Sequence, residues 1–269
     1  MRSSPAPGIL VGMDSEAYGA FEAVREEFRG LVHRWSEDNP YLREVQERLR
    51  VGKGYGDYRI ETPIVYNRAL DEVKPEAEIK VVLVADNPGK KEQLRANNRY
   101  LVGQSGKLAE SWFRRELGID FRREVLILNK TPVHTAKTAE LGMLARSAGP
   151  GRLRLESLLA ESQAAMADLA WRLHRGLRAS AAIGAEWPVL WISGLGELRK
   201  GGLFEIYRDE LGRGIAKATQ GERACVWAFN HFSMNQFAIE VKRKAEPGAP
   251  MAEELARIGR ENRARVFGL

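Results

Sequence analysis

The apolar positions of this chain fall into two patterns, and their order along the sequence predicts the architecture. Phe21, Val24, Phe28, Leu31, Val32 and Trp35 recur at helical spacing, the stripe of an amphipathic helix that faces a core. Asn39-Pro40 predicts the start of a second short helix, with Asn39 accepting from first-turn amides and Pro40 preset at the first helical position. Gly52, Gly54 and Gly56 then predict a flexible loop, and residues 58–65 a peripheral strand interrupted by Pro63.

From residue 80 the pattern changes. Residues 80–85, 124–128, 179–183 and 224–229 are short apolar runs, as expected for strands covered on both faces. Helical patterns over 107–117 and 156–175 lie between them, the second with Leu159, Met166, Leu169, Ala170 and Leu173 on its inner face. Strands alternating with helices predict a parallel sheet with right-handed crossovers. A basic, glycine-containing loop is expected over 145–154 and a charged surface helix over 251–266. The fold class is therefore α/β: three layers (α/β/α) around a central, mainly parallel four-stranded sheet. An N-terminal helical extension (1–77) precedes the core (78–240), and a C-terminal helix (241–269) follows it.

Composition narrows the chemistry. With 269 residues, 44% of them hydrophobic, the chain can bury one elaborated domain. A net charge of +6 and a pI near 9.5 suit an anionic partner. The single cysteine, Cys225, excludes an internal disulfide framework, an iron–sulfur cluster or a multi-cysteine zinc site within the chain. His33, His134, His174 and His231 show no metal-ligand spacing, and no cofactor is expected. The first residues carry no sustained apolar run, so neither a signal peptide nor a membrane span is expected, and a cytoplasmic, monomeric protein is.

Three apolar runs break abruptly into polar residues, as where parallel strands deliver side chains to one edge of a sheet. The first ends in Ala85-Asp86-Asn87-Pro88-Gly89, the second in Leu126-Ile127-Leu128-Asn129, and the last leads to His231-Phe232-Ser233-Met234-Asn235. Between the first two lies Tyr100-Leu101-Val102-Gly103-Gln104-Ser105-Gly106-Lys107-Leu108. In this order, over about residues 78–237, the segments resemble the motifs of the uracil-DNA glycosylase superfamily. The stretch from Tyr100 to Leu108 is nearest to the iron–sulfur branch of that family.

The resemblance implies excision of a base from DNA, single- or double-stranded, without metal or cofactor. A base inside a duplex must be turned out into a pocket that reads its Watson–Crick edge. A carboxamide suits uracil, because it accepts from the imide N–H and donates to the neighbouring carbonyl. That role falls to Asn129, with Leu101 at the position that stacks on the base; the adjacent Tyr100 could substitute only if the loop is rotated, because neighbouring side chains in an extended segment point opposite ways. His231 is placed as hydrogen-bond donor to the leaving base, and Asn87 or Asp86 as the group that positions or activates water. Ser105, Lys107, Ser233, Met234 and Asn235 are expected at the DNA, with Met234 as an apolar wedge between base steps.

The chain departs from the family pattern in several places. It lacks the branch's four cysteines, carries Leu101 where an aromatic residue is expected, and has Phe232 where a proline follows the histidine. Lys90, Lys91, Arg95, Arg99, Lys107, Arg114, Arg115, Lys242, Arg243 and Lys244 flank the motifs and are candidates for phosphate contacts if they share the strand-end face. His134 is a further candidate for the border of a DNA groove. The stretch from Gly103 to Lys107 lacks the first glycine and the Ser or Thr of a phosphate-binding P-loop. No lysine stands out as a nucleophile, so strand-cleaving lyase activity is not expected. The competing class is a catalytically inactive nucleic-acid-binding module on the same fold.

Overall fold

The computed structural model describes residues 12–56, 58–181 and 187–269. Two helices, α1 (Ser15–Asp38) and α2 (Leu42–Gly52), precede β1 (Val81–Ala85). Then follow α3 (Gln104–Leu117), β2 (Val125–Asn129), α4 (Leu141–Ser147), α5 (Arg152–Ala179) and β3 (Val189–Ser193). The chain ends with α6 (Glu205–Ala216), α7 (Gln220–Ala224), β4 (Val226–Phe229), α8 (Gln236–Lys244) and α9 (Met251–Phe267). The four strands form one all-parallel sheet in the order β2-β1-β3-β4. Every strand residue is buried, which is why the strands read as continuous apolar runs.

Helices cover both faces of the sheet. On one, α5 lies against β1, β2 and β3, flanked by α1 and α6. On the other, Trp112 and Phe113 of α3 pack against Trp191 of β3 with ring centroids 6.5 and 5.1 Å apart. There α9 approaches β4 at Gly259, where an added Cβ would stand 2.5 Å from Trp227 and 2.9 Å from Phe229. Only a glycine admits both rings. One hydrophobic cluster runs from Phe21 of α1 through the sheet to Ile258 of α9, so the N-terminal helices share the core.

Several expectations are corrected. Asn39 closes α1, donating from Nδ2 to Trp35 O at 2.9 Å, and α2 begins only at Leu42, after a turn through Pro40 and Tyr41. The third strand is Val189–Ser193, not 179–183: Ala179 closes α5, and 182–186 lie outside the described residues. Pro188 immediately precedes that strand, a position where its missing N–H costs no ladder bond. Residues 145–154 are largely helical, with only a tight turn at Gly149–Gly151 joining α4 to α5. In place of a strand over 58–65 there is one antiparallel bridge, Ile64 to Val133, each residue next to a proline that cannot donate. The C-terminal helix is more than surface, because Leu255, Ile258 and Asn262 are buried and Asn262 Nδ2 donates to Ala228 O of β4 at 2.9 Å. No helix among the described residues is long and apolar enough to cross a membrane.

Candidate functional site

Strand alternation sorts the residues at the carboxyl ends of the strands into two sets. Cross-strand register aligns Asn129 with Ala85, and Ser193 with Phe229, while the pairing of Val84 with Ile192 puts Ser193 level with Ala85. Asn129, Ala85, Ser193 and Phe229 thus form the last row on the face that carries α3 and α9. The next residues along the chain, Asp86, Lys130 and Gly194, turn toward the α5 side.

On the α5 side the two charges at the strand ends are matched to each other. Lys130 is 0% exposed; its Nζ donates to Asp86 Oδ1 at 2.5 Å and to Ser193 O, and lies 4.9 Å above the Phe204 ring. The other Asp86 oxygen accepts from Thr138 Oγ1 at 3.3 Å. Burial pulls the Lys130 ammonium below the ordinary lysine range, and Asp86 opposes that shift. Gly194 (φ +90°) makes the approach possible, because a Cβ there would stand 2.4 Å from Asp86 Oδ1 and 3.2 Å from Lys130 Nζ. Asp86, expected as a general base, is therefore committed to Lys130 and Thr138. Its neighbour Asn87 is half-buried and donates from Nδ2 to Thr135 Oγ1 at 2.9 Å, which orients the carboxamide and leaves Oδ1 as the acceptor.

The turn that follows is held from below. His134, expected at a groove border, is fully buried with Nδ1 2.8 Å from Pro88 O. Burial lowers its pKa to about 4, so it is neutral and structural. Glu92 accepts from Gly89 N at 2.9 Å and also from the Leu101 amide, tying the first turn to the second loop. Desolvation raises the Glu92 pKa to about 7 despite these bonds.

Neither Leu101, at the expected stacking position, nor the adjacent Tyr100 points outward. Tyr100 is 0% exposed and its hydroxyl donates to Val65 O at 2.5 Å. Leu101 is buried in a left-handed conformation (φ +51°), with its carbonyl held by Arg122 Nη2 at 2.7 Å. That carbonyl lies where a Cβ on Gly106 would be, so the loop sits directly on the start of α3. The extended alternation expected for residues 100 and 101 fails because the chain bends there, and both side chains turn inward.

The α3 side differs in kind from the α5 side. Asn129 is 1% exposed and its Nδ2 has no hydrogen-bond partner; Ser193 is 0% exposed and its Oγ has none. Trp191 Nε1, one pleat back on the same face, is also unpartnered. Buried polar atoms are nearly always paired, and these three lie on one face within one pleat of the strand ends; Tyr207 Oη of α6 and His134 Nε2 are likewise without partners elsewhere.

Beyond β4, His231 Nδ1 accepts from Ser233 N at 2.9 Å, which puts the ring proton of the neutral form on Nε2. Burial lowers the His231 pKa, Asp86 opposes that shift and Lys130 adds to it, so the neutral donor persists through neutral pH. Phe232 is buried against Phe237 and Phe113, which anchors the loop where a proline was expected. Met234 (φ 50°) and Asn235 (φ 58°) are consecutive non-glycine residues in the left-handed region, and Met234 is 83% exposed. Such strain collects at functional segments.

Ser105 and Lys107 lie in the first turn of α3, at the strand-end edge, with Lys107 exposed. Lys90 and Lys91 follow the first turn at the same edge. Arg114 and Arg115 fall in the last turn of α3, at the opposite edge of the sheet, since a crossover helix runs back against its strands. Arg99 pairs with Glu72, and Lys244 with Glu240 and Asn262. Lys242 and Arg243 share the last turn of α8 with Lys244, and Arg95 is exposed with its amide on Glu61.

Comparison with family models, curated proteins and solved structures gives no match for this chain. Sequence reasoning missed Lys130 and Ser193. The first followed Asn129 directly, and a lysine closing an apolar strand was the available signal. The second ended an apolar run that was not read as a strand.

Proposed function

We propose that this chain is a monofunctional DNA glycosylase, hydrolysing the N-glycosidic bond of a flipped uracil or related deaminated base in DNA. One observation carries the reading: the buried Asn129 carboxamide has an unpaired amide at the sheet edge that also holds His231, whose tautomer fixes Nε2 as a donor. A carboxamide with unspent hydrogen bonds suits an imide edge and rejects cytosine, whose pattern is reversed there. In the reaction, the water oxygen bonds to C1′ as the C1′–N bond breaks. The bonding pair leaves with the base, and a water proton passes to the base or to solvent. His231 Nε2–H stabilises the negative base oxygen as it forms, and Asn87 Oδ1 orients the water by accepting from it.

The exposed, strained Met234 suits a wedge that fills the stack a flipped base vacates. Lys130, buried and engaged on every side, fits hydrolysis by water better than attack by an amine.

A second reading has its own support. Asp86 is tied to Lys130 and Tyr100 is buried, as in a nucleic-acid-binding module of this fold without chemistry. Single-turnover incubation separates the two, with excess protein on end-labelled single-stranded and duplex oligonucleotides carrying uracil, hypoxanthine or xanthine, and alkali to reveal abasic sites. Excision that vanishes in His231→Ala and Asn129→Ala supports the enzyme. Salt-sensitive binding with no abasic product on any substrate rejects it in favour of the module.

A further inference from the structure

Ser193 carries information that the mechanism above does not use. Its hydroxyl is fully buried, has no partner, and sits in the same row and on the same face as the Asn129 amide, separated from it by Ala85. Two interstrand spacings put Asn129 and Ser193 about 10 Å apart at their Cα atoms. A planar heterocycle with polar groups on opposite edges can close that span through one hydrogen bond at each end. Ala85 contributes only a methyl group between them.

The chemistry of Ser193 is complementary to that of Asn129. A carboxamide donates at one atom and accepts at another in fixed places, whereas a hydroxyl rotates to donate or accept as required. One edge of the ring would be read rigidly and the other adaptably. The backbone carbonyl of Ser193 already accepts from Lys130, which anchors the residue while leaving its side chain uncommitted.

We infer that Ser193 is a second base-reading residue, whose hydroxyl pairs with a polar atom on the edge of the flipped base opposite to Asn129. The inference rests on the glycosylase reading for its substrate class. An orphan buried hydroxyl destabilises a fold by the cost of its lost hydration, so removing it stabilises the free protein. A ligand that pairs it reverses that sign in the complex.

The test is binding of labelled single-stranded oligonucleotides that differ at one position, 2′-fluoro-deoxyuridine or a tetrahydrofuran abasic site, by fluorescence anisotropy. The fluorine suppresses glycosidic cleavage, and backbone contacts cancel in the ratio of the two dissociation constants. Expected is a uridine preference in the wild type that falls about tenfold in Ser193→Ala, the worth of one hydrogen bond to a buried group. Ser193→Ala should meanwhile raise the Tm of the free protein by about 2–4 °C. Ser193→Cys, of nearly the same shape with a weaker donor, should fall between. An unchanged preference in Ser193→Ala overturns the inference, as does a wild type with no preference. A preference that falls in the variant, in a protein that excises nothing, keeps the pocket and discards the chemistry. Excision with an unchanged preference does the reverse.

Discussion

The two sides of the sheet end differently although the same four strands make both. Toward α5, a lysine with no exposure meets a carboxylate at 2.5 Å, a hydroxyl and a carbonyl complete the set, and a glycine makes room. Toward α3, an amide, an indole N–H and a hydroxyl are buried without partners. The first arrangement is self-sufficient and holds the loops together. The second leaves hydrogen-bonding capacity unspent in a packed interior, and the proposed base reading rests on that capacity.

The contrast is broken most severely from the paired side. Lys130→Met should cost about 3–5 kcal/mol in chemical denaturation, because Asp86 is left buried without its cation. Lys130→Met combined with Asp86→Leu should recover most of that loss, and a double variant as unstable as the single one would deny the pairing its role.

Glu92 links the two motif loops and adds a dependence on pH. Its folded pKa, about 7, lies above the ordinary 4.5, so the folded state prefers the protonated acid. Stability from this group is complete below about pH 4.5 and is lost as pH rises through 7, on the order of 3 kcal/mol in all. Denaturation of wild type and Glu92→Gln from pH 5 to 8 should show this slope in the first and its absence in the second; parallel curves would refute it.

Gly194→Ala should cost about 1–3 kcal/mol, from a left-handed φ and a methyl forced onto the Asp86 carboxylate. Urea titration measures it, and a neutral effect would mean that the ion pair has slack.

The unpaired side should respond with the opposite sign. Asn129→Leu removes an orphan amide while keeping the branched outline of the side chain, and should raise stability by about 1 kcal/mol while abolishing base discrimination. A loss of several kcal/mol instead would show that the amide is structurally satisfied.

Met234→Ala should change stability by less than about 0.5 kcal/mol, since the side chain is exposed. It should slow excision from duplex DNA while sparing single strands. Equal slowing on both would remove the wedge from the account.

Much of the architecture was legible because burial leaves a mark on sequence. Strands covered on both faces must be apolar throughout, so residues 81–85, 125–129 and 226–229 were recognisable, and their alternation with helices fixed a parallel sheet. Where the signals came from single turn-forming residues they failed. Asn39 served the helix before it, and the glycines around residue 150 sat between two helices without opening a loop.

The sequence alone placed Asp86 and Asn129 at strand ends, since each follows its apolar run directly, but Ser193 was hidden because its run was not read as a strand. The sequence could not determine what those residues do, because partners such as Lys130 and Asp86 lie 44 positions apart in the chain and meet only across two strands. Only the tertiary structure decided that Asp86 is occupied, that Tyr100 is turned into the core, and that Asn129 and Ser193 are left without partners in a single row. The physical reason is that hydrogen-bond satisfaction belongs to the space around a residue, and register and packing create that space after the local sequence has chosen the strand.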